Sequence, residues 1–168
     1  MRRAVSWGAV ILTALLLQST VFAQIELFGV KPELTYLITV VLAMIEGPSA
    51  GASGGFAAGM AEDFLLNQPK GITALTLTLL GYSVGMIRQY IASPSPALPV
   101  LLVTGATAVG QLFHSLVSFL LGELPGGWGY AFRVAVLSAM YNGILTPLAY
   151  PIIRRVAEGS RAKRVFRW

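Results

Sequence analysis

Long apolar stretches separated by short polar breaks dominate this chain. A helix that crosses a bilayer needs roughly 20 apolar residues, and a few fewer suffice where it is buried among neighbours. Six such segments can be read, at residues 4–23, 32–46, 50–66, 71–91, 97–121 and 130–153. The breaks consist of residues that stop helices. Gly47-Pro48-Ser49 follows the second segment, Asn67-Gln68-Pro69-Lys70-Gly71 the third and Ser93-Pro94-Ser95-Pro96 the fourth, and residues 122–129 form an outer loop after the fifth. Pro32 suits the first turn of the second span, because proline lacks the amide proton that a helix start leaves unbonded. The pattern predicts an all-α membrane protein, a six-transmembrane-helix bundle over residues 1–155 with a basic tail over 156–168.

Composition narrows this further. The 168 residues are 55% hydrophobic and 11% charged, with a mean hydropathy of +0.72, which leaves too little polar surface for a soluble globule. Cysteine is absent, so no disulfide framework and no cysteine-based metal or redox site can be built. Met1-Arg2-Arg3, the apolar run behind it and Val21-Phe22-Ala23 have the outline of a cleavable signal peptide, but the uncharged stretch is long enough to read as a retained span.

Charge orients the bundle. The net charge of +5 would suit nucleic acid, yet Arg154, Arg155, Arg161, Lys163, Arg164 and Arg167 crowd behind the last span, where they read as a membrane-surface tail facing anionic lipid, with no nucleic acid partner. With both termini cytoplasmic, those six join Arg2, Arg3 and Arg88 inside, against Lys31, Lys70 and Arg133 outside or at the outer interface. Five spans would put the termini on opposite sides and break the charge rule at one of them.

Small and polar residues inside the spans carry the candidate chemistry. Gly47, Gly51, Gly55 and Gly59 recur every four residues along one face of the third span, and Gly81 and Gly85 repeat the spacing in the fourth. In lipid such faces let helices approach closely, either within the bundle or against a partner's transmembrane helix. Asp63 continues the series on the same face, with Glu62 beside it. An acid there needs a partner, and Arg133 or Lys70 is expected to supply it, as a structural clamp or as a functional polar site. In the fifth span Thr104, Thr107, Gln111, His114 or Ser115, and Ser118 form a polar stripe, and Ser138, Asn142 and Thr146 form another in the sixth. The two read as interhelical hydrogen-bonding or as the lining of a ligand cavity. His114 is the only histidine, so no metal site can be completed around it, and no cofactor is expected. Gly51-Ala52-Ser53-Gly54 matches the nucleophile motif of rhomboid intramembrane proteases. Ser53, however, belongs near the cytoplasmic end of its span and His114 to the outer half of another, beyond the roughly 3 Å that general-base activation needs. The chain is read as no enzyme.

Residues 55–71, Gly55-Phe56-Ala57-Ala58-Gly59-Met60-Ala61-Glu62-Asp63-Phe64-Leu65-Leu66-Asn67-Gln68-Pro69-Lys70-Gly71, followed by Gly81-Tyr82-Ser83-Val84-Gly85, resemble the central signature of the MreD family of bacterial rod-shape-determining membrane proteins. Lys31-Pro32-Glu33, Glu46-Gly47-Pro48, the length and the basic tail fit the same resemblance. Lys70, where the family more often has an apolar residue, and the second acid Glu62 depart from it. The resemblance implies a multi-pass protein of the bacterial cytoplasmic membrane that scaffolds cell-wall elongation. Its implied partners are MreC and, through it, the MreB filament, RodA and a class B penicillin-binding protein. It also implies an architecture similar to the substrate-binding subunits of energy-coupling-factor vitamin transporters, which supplies the alternative function. The glycine faces are expected to help hold the MreC helix.

Overall fold

The computed structural model describes residues 2–20, 29–30, 32–65, 71–91, 95, 97–123 and 126–162, and their side chains except those of residues 2–6, 19 and 157–162. These residues form six helices and no strand: α1 (Arg2–Thr20), α2 (Leu34–Glu46), α3 (Pro48–Leu65), α4 (Ile72–Tyr90), α5 (Leu98–Leu120) and α6 (Gly127–Ala162). Each expected segment therefore becomes one helix. The breaks at Gly47 and Gly71 hold positive φ angles of 94° and 104°, a backbone region that glycine enters without steric cost.

The short helix α2 is the hub. All ten residues from Leu34 to Ala43 are buried, so the helix is apolar on every side because protein surrounds it on every side. Its 13 residues reach only about 20 Å, short of a full hydrocarbon thickness. Around it, α3 and α4 form one antiparallel hairpin, with Gly51 facing Gly81, Gly55 facing Leu77 and Gly59 facing Ala74. Helices α5 and α6 form a second, and α1 lies beside α2 and α6.

Among the described residues, two stretches, Leu98–Leu120 and Gly127–Val156, are long and apolar enough to cross a membrane. Glycines and polar residues dilute α3 and α4 below that mark. Helix α6 also differs from the expected span. It runs on past residue 153 to Ala162, so part of the segment read as a tail is helical. Arg154, Arg155, Ala157 and Glu158 are strong helix formers, and the stretch holds no proline past Pro151, so the helix continues beyond the apolar run despite Gly159. Pro147 and Pro151 lie within this helix, both exposed on its surface.

Candidate functional site

Asp63 sits one turn from the end of α3 and is completely buried. Its Oδ2 accepts from the Gly71 amide at 2.8 Å and the Ala74 amide at 3.3 Å, at the start of α4. Those N–H groups have no partner inside their own helix, and the positive end of the helix dipole favours an anion. The carboxylate thus finds a complement in a helix start across the hairpin. Arg133 is exposed on α6, beside Phe132, Val136 and Leu137 at an open depression of about 370 Å³. Lys70 lies outside the described residues.

Glu62, one residue earlier, points toward α1 and α2. Its Oε1 accepts from Gln18 Nε2 at 2.9 Å, and Gln18 Oε1 in turn lies 3.4 Å from the Thr35 amide. Across from it stands Glu33, within electrostatic reach of Glu62, and Tyr36 lies near Glu33, Glu62 and Asp63. Gln111 from α5 faces Glu33, and Asn142 from α6 donates to the Glu33 carbonyl at 2.9 Å and to Thr107 Oγ1 at 3.2 Å. Five helices therefore converge on one buried polar cluster. Within it Glu62 Oε2, Asp63 Oδ1, Thr35 Oγ1, Gln111 Nε2 and Asn142 Oδ1 are buried without a hydrogen-bond partner. Among these atoms acceptors outnumber donors. Among the described residues no group of three or more His, Cys, Asp or Glu is placed to hold a metal ion.

The two polar stripes meet at the Thr107–Asn142 bond, and the Thr146 hydroxyl donates back to the Asn142 carbonyl. Ser115, Ser118 and Ser138 are buried along the same faces. His114 is half-buried within electrostatic reach of Asp63. Ser53 is exposed on α3 and its hydroxyl donates to the Ala50 carbonyl of the same helix. Ten residues, or about 15 Å of helix, separate Ser53 from the Asp63 level at which His114 lies, so no serine–histidine pair forms.

The glycine faces are closed by the chain itself. A Cβ on Gly51 would stand 2.6 Å from the Gly81 carbonyl oxygen, one on Gly59 2.5 Å from Ala74 Cα, and one on Gly85 2.5 Å from Pro48 Cα. On Gly55 it would collide with the Leu77 carbonyl, and on Gly81 with the Gly51 carbonyl. A partner helix would have to displace α4 to reach this face. Gly47 departs from the series: a Cβ there meets open space, and its role is the positive-φ turn that ends α2. Of the basic residues behind the last span, Arg154 and Arg155 are exposed on α6 and Arg161 belongs to the same helix, while Lys163, Arg164 and Arg167 lie outside the described residues.

Sequence reasoning did not single out Gln18, Glu33, Thr35 and Tyr36. A signal was available for Gln18, a long polar side chain near the end of an apolar segment, which in lipid must find a partner. Glu33 entered only through Lys31-Pro32-Glu33 of the family resemblance, and nothing local shows that its backbone carbonyl receives Asn142.

No curated protein and no solved structure matches the chain. The family described as rod shape-determining protein MreD, a bacterial membrane protein family, matches residues 1–156, and the chain belongs to that family.

Proposed function

We propose that this protein is a non-enzymatic scaffold of the cell-wall elongation machinery that binds MreC and, through it, connects to MreB, RodA and a class B penicillin-binding protein. Family membership supports the setting, rod-shape determination in a bacterial membrane. One structural observation carries the scaffold reading. Several intramembrane polar groups join helices, with Asp63 on the start of α4, Glu62 on Gln18, and Asn142 linking α6 to the Glu33 carbonyl before α2 and to α5. Such bonds fix a shape for other proteins to recognise.

In this reading six helices cross the inner membrane, both termini are cytoplasmic, and the MreC helix meets the outer surface of the bundle, because the glycine seam is occupied from within. The test is affinity isolation of the tagged full chain from membranes, followed by identification of what comes with it. Recovery of MreC from wild-type membranes is expected. Its absence, with the chain inserted and folded, would overturn the proposal. Termini reached from outside intact cells by a membrane-impermeant label would overturn the orientation.

A further inference from the structure

Glu62 is an acid inside the bundle that no base meets. Its side chain is 6% exposed. Oε1 accepts from the Gln18 amide at 2.9 Å, while Oε2 is buried without a hydrogen-bond partner. The Thr35 hydroxyl faces the same carboxyl from α2, and it too is buried and unpartnered. We propose that Glu62 is a proton-binding site: the acid is protonated at neutral pH, with Oε1 accepting from Gln18 and its Oε2–H donating to the Thr35 hydroxyl, so that the joint between α1, α2 and α3 is closed by a proton.

Asp63, the next residue, shows what a carboxylate in this bundle requires. It receives two backbone amides at the start of α4, where the helix dipole favours an anion. Glu62 receives one neutral side-chain amide. The amide that the start of α2 offers nearby, on Thr35, goes to Gln18 Oε1 instead. Protonating an ordinary glutamate at pH 7 runs against a bias of only about 500-fold, set by its usual value near 4.3. An unpaired charge buried in apolar surroundings is the costlier state, and a group so placed neutralises. A second negative charge beside the Asp63 carboxylate would be repelled as well.

Each neighbouring element has been accounted for in the same way. The side chains within reach of Glu62 are Gln18 of α1, Thr35 and Tyr36 of α2, Asp63 of α3, and Glu33 just before α2, and none of these is a base. From α5, His114 reaches Asp63, and Gln111 faces Glu33. Helix α6 presents Asn142 and α4 its first amides, groups that do not titrate. Among the described residues, then, no lysine or arginine stands against Glu62 to take the place of the proton.

The test compares the full wild-type chain with Glu62→Gln, whose amide has the shape of the protonated acid and can accept from Gln18 and donate to Thr35. A proton kept by the folded chain and released on unfolding makes the fold less stable as pH rises. Across about pH 5 to 7, the ratio of the wild-type to the variant unfolding constant, from denaturant titration in mixed micelles, is expected to rise about tenfold per pH unit. A flat ratio over that window would overturn the proposal. Infrared spectra of the wild-type chain alone supply a second readout, independent of whether the variant folds. At neutral pH they should contain the carbonyl stretch of a protonated carboxyl, and its absence would overturn the proposal too. That band is expected to vanish in Glu62→Gln and to persist in Glu33→Gln; the reverse pattern would put the proton on Glu33 and refute the assignment. Thr35→Val removes the hydroxyl at nearly constant shape and should move the band to higher frequency. An unmoved band would refute the Thr35 pairing.

Discussion

The α3–α4 seam and the α1–α6 groove are both walls of apolar helices against α2, yet they are built in opposite ways. At the seam, glycines every four residues bring two backbones to within the reach of a single Cβ, and a buried carboxylate ties one helix to the first amides of the other. At the groove, Leu17 and Ala9 of α1 and Leu145, Leu148 and Ile152 of α6 line an opening of about 650 Å³ over α2. In lipid there is no hydrophobic gain from joining helices, since lipid tails are as apolar as leucine, so closeness and hydrogen bonds decide which helices adhere. The seam has both and is closed. The groove's described lining holds no such glycine contact, and the groove is open.

The largest expected effect comes from breaking the seam. Gly59→Leu would drive a side chain into the Ala74 and Thr73 backbone, which cannot turn aside as a flexible side chain could. Overpacking against backbone belongs with the severe substitutions, and a loss above about 4 kcal/mol is expected. Thermal melting of the purified chain should show no cooperative transition, and proteolysis in membranes should cut α3 and α4. A variant that melts like the wild type would mean that the two helices are not in backbone contact.

Asp63→Ala removes the bond between the two helices while leaving their close approach. The Gly71 and Ala74 amides lose their acceptor in a buried place, a change expected to cost about 1–3 kcal/mol. Asp63→Asn keeps an acceptor oxygen without the charge, and its melting temperature should fall between the two. If Asn is as damaging as Ala, the negative charge itself is what the helix start requires.

The seam was legible in the sequence because its signal is periodic, since glycines four apart must share a helix face whatever the fold. So were the helix breaks, which glycine and proline mark locally. The partner of Asp63 was not legible in the same way. Gly71 and Ala74 come back to it only when the hairpin closes, and no side-chain type announces a free amide. The cluster around Glu33 draws one or two residues each from α1, α2, α3, α5 and α6, so no window of sequence contains it. Helix α6 runs past the expected span because apolarity marks where the membrane stops, whereas helix propensity continues through Arg154 and Arg155 into the polar region.

The smallest expected effect lies in the groove, and it is the sharpest test of the comparison. Leu148 lines the groove with 69% of its surface exposed, whereas Leu77 at the seam has 0%. Truncating Leu77 to alanine would leave a cavity among fixed neighbours and cost about 2–5 kcal/mol. Truncating Leu148 exchanges protein–lipid contact for slightly more lipid contact, because an acyl chain can follow the new surface. Leu148→Ala is therefore expected to change stability by no more than about 0.5 kcal/mol, read as the melting temperature in lipid nanodiscs. A loss near that of Leu77→Ala would require a rigid, closely fitted neighbour over Leu148. Fluid lipid cannot provide one, so the open side of the bundle would then be a protein interface built like the seam.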